Sequence, residues 1–155
     1  MTHEFRYRRR VEFAETDTAG VAHFAAFFRW MEEAEHALYR SVGGSAYRSD
    51  ADRVEGMPRS AASCEYRRPV RYGDELEVRL VVREMTERSI AYDVEFRRMD
   101  EAGDAGGSGD EGELVALGSM RVVHVVRPHG ALEWRVTELP SVLREALEPA
   151  PAGTV

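Results

Sequence analysis

Hydrophobic and polar residues alternate in several stretches of the chain, and this alternation predicts β-strands. It is clear in residues 5–13, 76–82 and 90–96, and weaker in residues 59–68. Residues 114–126 are apolar on both faces, which is typical of a central strand covered on both sides. The sequence therefore predicts about five strands.

A helical period replaces the alternation between Phe24 and Val42. Gly43 and Gly44 supply its stop, because glycine tolerates the left-handed residue past a helix end. A polar loop is predicted at residues 49–55 and a short C-terminal helix at residues 138–147, with Pro140 in its first turn. One stripe of the long helix is apolar, and its members are Phe27, Trp30, Met31, Ala34, Leu38 and Val42. This order of elements predicts an α+β fold in which a curved antiparallel sheet encloses one long helix.

Composition limits the class of protein. The chain has 155 residues and a net charge of −7, and all 21 of its basic residues are arginine. The acidic balance argues against a nucleic-acid partner, and no apolar run is long enough for a membrane span or a signal peptide. With Cys64 as the single cysteine, neither an internal disulfide nor a cysteine-rich zinc site is expected. We expect a cytoplasmic protein.

The length fits a single domain, which we place at residues 1–148. Residues 100–113 hold five glycines and six acidic residues, so they are expected to form a flexible hairpin loop rather than a phosphate cradle. Residues 149–155 are expected to form a frayed tail.

Two acidic residues, Glu15 and Asp17, precede Gly20 and the start of the long helix. Free N–H groups at a helix start stabilise negative charge, including the oxyanion of an acyl-transfer intermediate. A carboxylate beside them could activate water or attack a carbonyl. The same pattern also fits a plain structural role, in which Asp17 or Thr18 caps the turn and Gly20 permits a tight bend.

The stretch from Phe13 to Glu35, FAETDTAGVAHFAAFFRWMEEAE, resembles the 4-hydroxybenzoyl-CoA thioesterase family, whose hotdog-fold members carry a D-x-D-x-x-G-[VI] signature before the central helix. The later RPVRYGD at residues 68–74 is similar to a second landmark of that family. The resemblance covers nearly the whole chain. It implies a hotdog fold and hydrolysis of acyl-CoA thioesters.

The resemblance also implies roles for individual residues. Asp17 matches the family's catalytic carboxylate, acting as nucleophile or general base, and Gly20 matches the glycine before the helix. Phe24 falls where the family uses a backbone N–H to polarise the thioester carbonyl. Glu32 matches an acid that helps to organise the site. His23 is a further catalytic candidate because its intrinsic pKa suits acid–base work, although a plain polar role at the helix start fits equally well.

The chain departs from the family pattern at three points. Glu15 stands where an aspartate is usual. His23 occupies the usual aromatic position and Phe24 the usual histidine position. Ala26 replaces an asparagine.

Arginines are the expected contacts for the coenzyme A phosphates, because the guanidinium forms a planar fork. The candidates are Arg67, Arg68 and Arg71, while Arg88 and Ser89 resemble a basic–Ser pair near the pantetheine arm. A plain surface role is the alternative for each of these arginines. His124 is expected to be a hydrogen-bonded core or interface histidine and Cys64 to be a packing residue.

The resulting hypothesis is a homodimer or homotetramer that hydrolyses an acyl-CoA thioester, with coenzyme A as part of the substrate and no separate cofactor or metal. Two alternatives stay open. One is another acyl-thioester hotdog enzyme, such as an acyl-carrier-protein thioesterase or a dehydratase. The other is a protein that binds acyl-CoA without chemistry.

Overall fold

A computed structural model of the chain describes residues 1–99 and 112–155, and these form two sheets and two α-helices. The strands of the larger sheet are β1 (Glu4–Arg10), β4 (Arg59–Tyr66), β5 (Glu75–Met85), β6 (Ser89–Met99) and β7 (Glu113–Val123). Their order in the sheet is β1-β5-β6-β7-β4, and the sheet is antiparallel throughout. The predicted five-stranded antiparallel sheet is confirmed.

The long helix α1 (Ala26–Ser41) lies against this sheet. Its apolar stripe is buried as predicted, with Trp30, Ala34 and Leu38 each at most 1% exposed. The facing side of β5 and β6 presents the register pairs Val78 with Phe96 and Leu80 with Val94. Burial of these apolar faces supplies the main stabilisation of the fold.

The opposite face of the large sheet carries a ladder of ion pairs. Glu77 is only 5% exposed because Arg6 and Arg8 from β1 cover it. Arg79 in the same way bridges Glu4 and Glu95. The arginine-rich strand β1 is thus one side of a charged sheet surface, as its alternation indicates.

Two sequence predictions about the strands were wrong. Residues 49–55 were expected to form a loop, but β2 (Tyr47–Ser49) and β3 (Arg53–Gly56) make a hairpin there, because Asp50 folds the turn by accepting bonds from the Asp52 and Arg53 N–H groups. Residues 114–126 were expected to be one strand, but the strand breaks at His124. The following β8 (Val125–Pro128) pairs with β3 and with β9 (Arg135–Val136) in a second, four-stranded sheet, β2-β3-β8-β9.

His124 makes this break, and it is 5% exposed, as expected of a buried histidine. Its Nδ1 lies 2.5 Å from the Glu138 carbonyl oxygen, and its backbone N–H donates to Arg88 O instead of to a sheet partner. The chain can therefore leave the large sheet at His124 and enter the small one.

The C-terminal helix α2 (Ser141–Ala146) is shorter than predicted, and Pro140 precedes its first residue instead of lying in its first turn. After α2, the Ala150 N–H donates to Val82 O, which ties that part of the tail to β5. The loop prediction falls mainly on residues 100–111, which lie outside the described residues, while Glu113 already belongs to β7.

Candidate active site

Asp17 lies in a tight loop between β1 and α1. The loop closes through two backbone bonds, from Asp17 N–H to Val21 O at 2.9 Å and from Gly20 N–H to Asp17 O at 3.0 Å. Asp17 Oδ1 also accepts from the Ala19 N–H at 2.8 Å. Gly20 has φ +76°, a conformation that residues with a side chain adopt at a cost. The Asp17 carboxylate thus both caps its turn and stays exposed to solvent.

The Glu15 carboxylate holds this loop against β1 and α1. Its carboxylate accepts from Trp30 Nε1 at 3.0 Å, from the Glu12 N–H at 2.9 Å and from Arg9 at 2.6 and 2.7 Å. Burial acts to raise the pKa of Glu15, but the Glu12 N–H, Trp30 and Arg9 outweigh it and hold that pKa below its ordinary value. The carboxylate therefore joins β1, the loop and α1 around one charge.

The segment that enters α1 leaves one donor free. The His23 N–H donates to Glu15 O at 2.7 Å, and the Ala26 N–H donates to His23 O at 2.9 Å. The Phe24 N–H has no acceptor in the described part of the chain. A free N–H at a helix start is the group that can polarise a carbonyl oxygen.

The His23 side chain also takes part in this segment. Its Nδ1 accepts from the Ala25 N–H at 3.2 Å, and its ring stacks on Phe24 with 4.5 Å between centroids. Nδ1 therefore carries no proton in this arrangement, so any proton on the neutral ring is on Nε2. A catalytic role for His23 stays a prediction.

One cleft brings part of the predicted site together. Asp17, Phe24 and Arg68 line it, and Arg67 lines it as well. Tyr66 was missed by the sequence analysis. Its hydroxyl donates to Phe24 O at 2.7 Å, so β4 is tied directly to the start of α1. The remaining lining residues are Val21, Ala22, Phe27, Pro69 and Val70.

Other predicted site residues lie outside this cleft. Arg71 starts a turn in which its N–H donates to Asp74 Oδ2 at 2.9 Å, and Glu32 lines a separate groove. Ser89 begins β6, whereas Phe96 of the same strand meets Phe27 near the cleft. Ser89 and Phe96 are seven residue steps apart along the strand, about 23 Å at 3.3 Å per residue. Arg88 and Ser89 therefore belong to the far end of the sheet within one chain.

A buried acid was also missed by the sequence analysis. Glu35 is fully buried, and its carboxylate pairs with Arg59 of β4. Burial raises the pKa of Glu35 to about 7, while the Arg59 charge opposes that rise. The signal was present in the sequence, because Glu35 interrupts the apolar stripe between Met31 and Leu38 at helical spacing.

Metal-ligand clusters and membrane-spanning helices are both absent from the described residues. Within residues 1–99 and 112–155, no three His, Cys, Asp or Glu side chains are grouped as metal ligands. No helix in the same residues has the length and apolar character needed to cross a membrane.

Comparison with known families shows which family this chain belongs to. A family model described as the thioesterase-like superfamily matches residues 11–147, which include the Asp17 loop, α1 and every strand of the large sheet except β1. The chain belongs to the thioesterase-like superfamily. The family predicted from the residues around Asp17 is thereby confirmed.

Curated proteins are similar to this chain over more than half of its length. A protein of Aquifex aeolicus, provisionally named as an esterase, is 38% identical over 88 residues, which cover 57% of this chain and 68% of that protein. A 1,4-dihydroxy-2-naphthoyl-CoA hydrolase of Prochlorococcus marinus is 31% identical over 97 residues, covering 58% of this chain and 64% of the hydrolase. The matches thus span about two thirds of the length of these relatives.

Solved structures of the superfamily show the same fold. A 1,4-dihydroxy-2-naphthoyl-CoA thioesterase from Synechocystis superposes with a TM-score of 0.72 at 23% identity, covering 93% of this chain and 95% of that one. The 4-hydroxybenzoyl-CoA thioesterase of Pseudomonas sp. strain CBS-3 gives a TM-score of 0.72 at 18% identity, with 93% and 99% coverage. At these identities the likeness establishes the hotdog fold, and the predicted fold class is confirmed.

Proposed function

We propose that the chain hydrolyses acyl-CoA thioesters at the Asp17 cleft. The observation that carries this proposal is the placement of the Asp17 carboxylate and the free Phe24 N–H at one cleft, at the start of α1. Relatives named as CoA thioester hydrolases support this reaction over dehydration or binding alone.

In the proposed mechanism the thioester carbonyl oxygen accepts a hydrogen bond from the Phe24 N–H. This N–H stabilises the oxyanion as the carbonyl carbon becomes tetrahedral. Asp17 either takes a proton from the attacking water or attacks the carbonyl carbon itself. The coenzyme A thiolate then leaves, and the free acid is released, directly from the water adduct or after hydrolysis of an anhydride on Asp17.

Arginines at the cleft fit the anionic part of the substrate. Arg67 and Arg68 line the cleft with 49% and 65% of their side chains exposed, and each has a surface glutamate as its ion-pair partner, Glu65 and Glu113. Exposed pairs of this kind are weak, so the guanidinium groups can turn to phosphate at little cost. We assign the coenzyme A phosphates to them.

A second copy of the chain is part of the proposal. Strand β4 forms one edge of the large sheet, and its residues Ser60, Ala61 and Ser63 are exposed and small. Edge strands of this kind are templates for pairing with another chain. Pairing of two β4 edges makes a homodimer, or the unit of a homotetramer, in which each cleft lies next to the partner chain. Sedimentation equilibrium tests it, since the mass of a single chain would contradict this assembly.

Replacement of Asp17 by asparagine tests the reaction. The amide oxygen still accepts from the Ala19 N–H, so folding is retained while the carboxylate is lost. We expect kcat to fall by about a thousandfold or more in a thiol-release assay over acetyl-, benzoyl- and decanoyl-CoA.

Asp50→Asn is the matched control, because Asp50 also accepts an N–H from two residues along the chain, at 2.9 Å, but lies in the β2–β3 turn. Its activity should equal that of the wild type. Near-normal hydrolysis by Asp17→Asn would overturn the mechanism.

A further inference from the structure

Tyr66 is the last residue of β4, and its side chain lines the Asp17 cleft. Its backbone is held on both sides, because Tyr66 pairs with Ala116 of β7 and the next two residues both donate their N–H groups to Val115 O, at 2.8 and 3.0 Å. Its ring packs edge-on against the buried Phe27, with 5.0 Å between centroids and an angle of 84°. The hydroxyl therefore has a defined position in the cleft.

The Tyr66 hydroxyl donates to Phe24 O at 2.7 Å, and the Phe24 N–H is the donor that the proposed mechanism uses for the oxyanion. These two Phe24 groups belong to the two planar peptide units that meet at its Cα. In the unit before Phe24, the His23 oxygen accepts from the Ala26 N–H at 2.9 Å. In the unit after Phe24, the oxygen accepts from Tyr66. Both units are thus held, which gives the Phe24 N–H one direction.

Burial does not anchor Phe24. Its side chain is 62% exposed and stacks on the ring of its neighbour His23. Phe24 also precedes the first residue of α1, Ala26, so it lies outside the regular helix. A bond from another element is therefore more important here than it would be inside α1. A displaced donor loses much of its effect on the charge that develops in the transition state.

The Tyr66 phenol remains a donor over the range of an activity assay. Partial burial raises the pKa of Tyr66 to about 12, and the nearby Cys64 adds to the rise. The hydroxyl therefore keeps its proton between about pH 6 and 9. A phenol with its proton can donate to a carbonyl oxygen, as the Phe24 contact requires.

We infer that Tyr66 is a positioning residue for thioester hydrolysis and acts through the Phe24 carbonyl to aim the Phe24 N–H at the substrate oxygen. The inference rests on the proposed thioesterase activity. It gives the edge strand β4 a part in catalysis, because β4 ends at the residue that orients the oxyanion donor. The role needs no contact between Tyr66 and the thioester.

Tyr66→Phe tests this role, because it removes the hydroxyl and keeps the ring that packs on Phe27. The assay uses whichever of acetyl-, benzoyl- and decanoyl-CoA the wild type hydrolyses fastest. We expect kcat to fall by about tenfold or more and KM to stay within about threefold, since a transition-state donor is misdirected while the other substrate contacts remain. The loss should be the same from about pH 6 to 9, because Tyr66 does not ionise there. Circular dichroism and thermal unfolding check the fold.

Tyr7→Phe is the matched control. Tyr7 lies on β1, and its hydroxyl also reaches α1, where it lies 3.5 Å from Glu33 Oε2. This long contact ends on a side chain and not on the backbone that enters the helix. The kcat of Tyr7→Phe should therefore stay within about threefold of the wild-type value.

Infrared spectroscopy reports the polarisation of the substrate without turnover. The same acyl-CoA, with an isotope-labelled thioester carbonyl, is bound to Asp17→Asn, which leaves the thioester intact. The Phe24 N–H should lower the stretching frequency of this carbonyl relative to the free acyl-CoA, because the hydrogen bond weakens the C=O bond. In the double variant Asp17→Asn/Tyr66→Phe the shift should be at most about half as large.

The outcomes separate this inference from the proposed function. Hydrolysis by the wild type with an unchanged kcat in Tyr66→Phe would leave the activity standing and overturn the role of Tyr66. A loss confined to KM, a loss that disappears towards pH 9, an equal loss in Tyr7→Phe or an unchanged infrared shift would do the same. Absence of hydrolysis for every acyl-CoA would overturn both.

Discussion

Arg9 of β1 holds both carboxylate oxygens of Glu15 through one nitrogen, at 2.6 and 2.7 Å, directly behind the Asp17 loop. Both side chains are shielded, with 10% and 15% of their surface exposed. The other end of the Arg9 guanidinium reaches Glu33 of α1 at 2.7 Å. One arginine therefore connects the first strand, the loop and the helix that together shape the cleft.

Glu15→Gln tests whether this connection positions Asp17. The amide keeps one acceptor for Trp30 or the Glu12 N–H but loses the charge that pairs with Arg9. We expect about 2 kcal/mol lower free energy of unfolding, because charge-assisted bonds at a shielded site are lost. kcat should fall by about tenfold or more while KM changes less, since the loop shifts and the phosphate contacts do not.

Glu33→Gln is the matched control, because it removes the other carboxylate from Arg9, and Glu33 is 39% exposed. Its kcat should stay within about threefold of the wild type, as expected of a more exposed ion pair. Equal losses of kcat in the two variants would show that Glu15 contributes only through the charge on Arg9.

Gly20→Ala tests the geometry of the Asp17 turn. Gly20 has φ +76° and no atom within 4 Å of an added Cβ, so the cost is backbone strain and not a collision. We expect about 1–2 kcal/mol of destabilisation in denaturant unfolding and a lower kcat. Gly56→Ala is the control, because Gly56 also has open space around an added Cβ but no positive φ. Its free energy of unfolding and its kcat should stay near the wild-type values. Unchanged kcat in Gly20→Ala would mean that the catalytic geometry does not depend on this turn.

The fold was predictable from the sequence where one face of an element is buried, and less so elsewhere. The stripe through Trp30 and Leu38 and the alternation in β5 and β6 each give a regular period, because burial selects apolar residues at fixed spacing. The small sheet lacks this signal. All three residues of β2 are exposed, and His124 ends β7 through hydrogen bonds made by distant backbone groups.

The candidate site also has a part that could be predicted from the sequence and a part that could not. Asp17, Gly20 and Phe24 are close in sequence, so the motif could place them together at the start of α1. Tyr66 contacts Phe24 and Arg59 contacts Glu35 only because β4 pairs with β7 beside α1, and no local spacing encodes these contacts. Sequence patterns report neighbours along the chain, whereas these residues meet through the order of strands in the sheet.

Glu35 should make stability depend on pH. The pKa of Glu35 is raised from 4.5 to about 7 in the folded chain, chiefly by burial. The Arg59 charge opposes this rise and the Glu32 charge adds to it. Tyr39 from α1 and Tyr92 from β6 also face the Glu35 carboxylate. The folded state thus binds a proton that the unfolded state releases between these values. The stabilising contribution is complete below about pH 4.5 and is lost as pH rises through 7, by about 3 kcal/mol in total.

Urea unfolding of the wild type and Glu35→Gln between pH 4.5 and 8 measures this effect. The difference in unfolding free energy between them should move by about 3 kcal/mol in favour of the variant as pH rises. Glu32→Gln removes only the smallest of the causes that act on the pKa of Glu35, so most of the wild-type pH dependence should remain. Parallel curves for the wild type and Glu35→Gln would show that Glu35 stays ionised throughout.

Cys64 should be an unreactive thiol, although it lies on β4 close to the cleft residue Tyr66. Burial raises the pKa of its thiol from 9.0 to about 11, and the contact with Tyr66 offsets only part of that rise. At pH 8 about one thiol in a thousand is then ionised, so alkylation by iodoacetamide should be far slower in the folded chain than in urea. Cys64→Ser should retain kcat within about threefold, because no step of the proposed mechanism uses sulfur. The opposite result would be rapid alkylation of the folded chain that abolishes thioester hydrolysis at the same rate, together with loss of hydrolysis in Cys64→Ser. That result would make Cys64 part of the catalytic machinery.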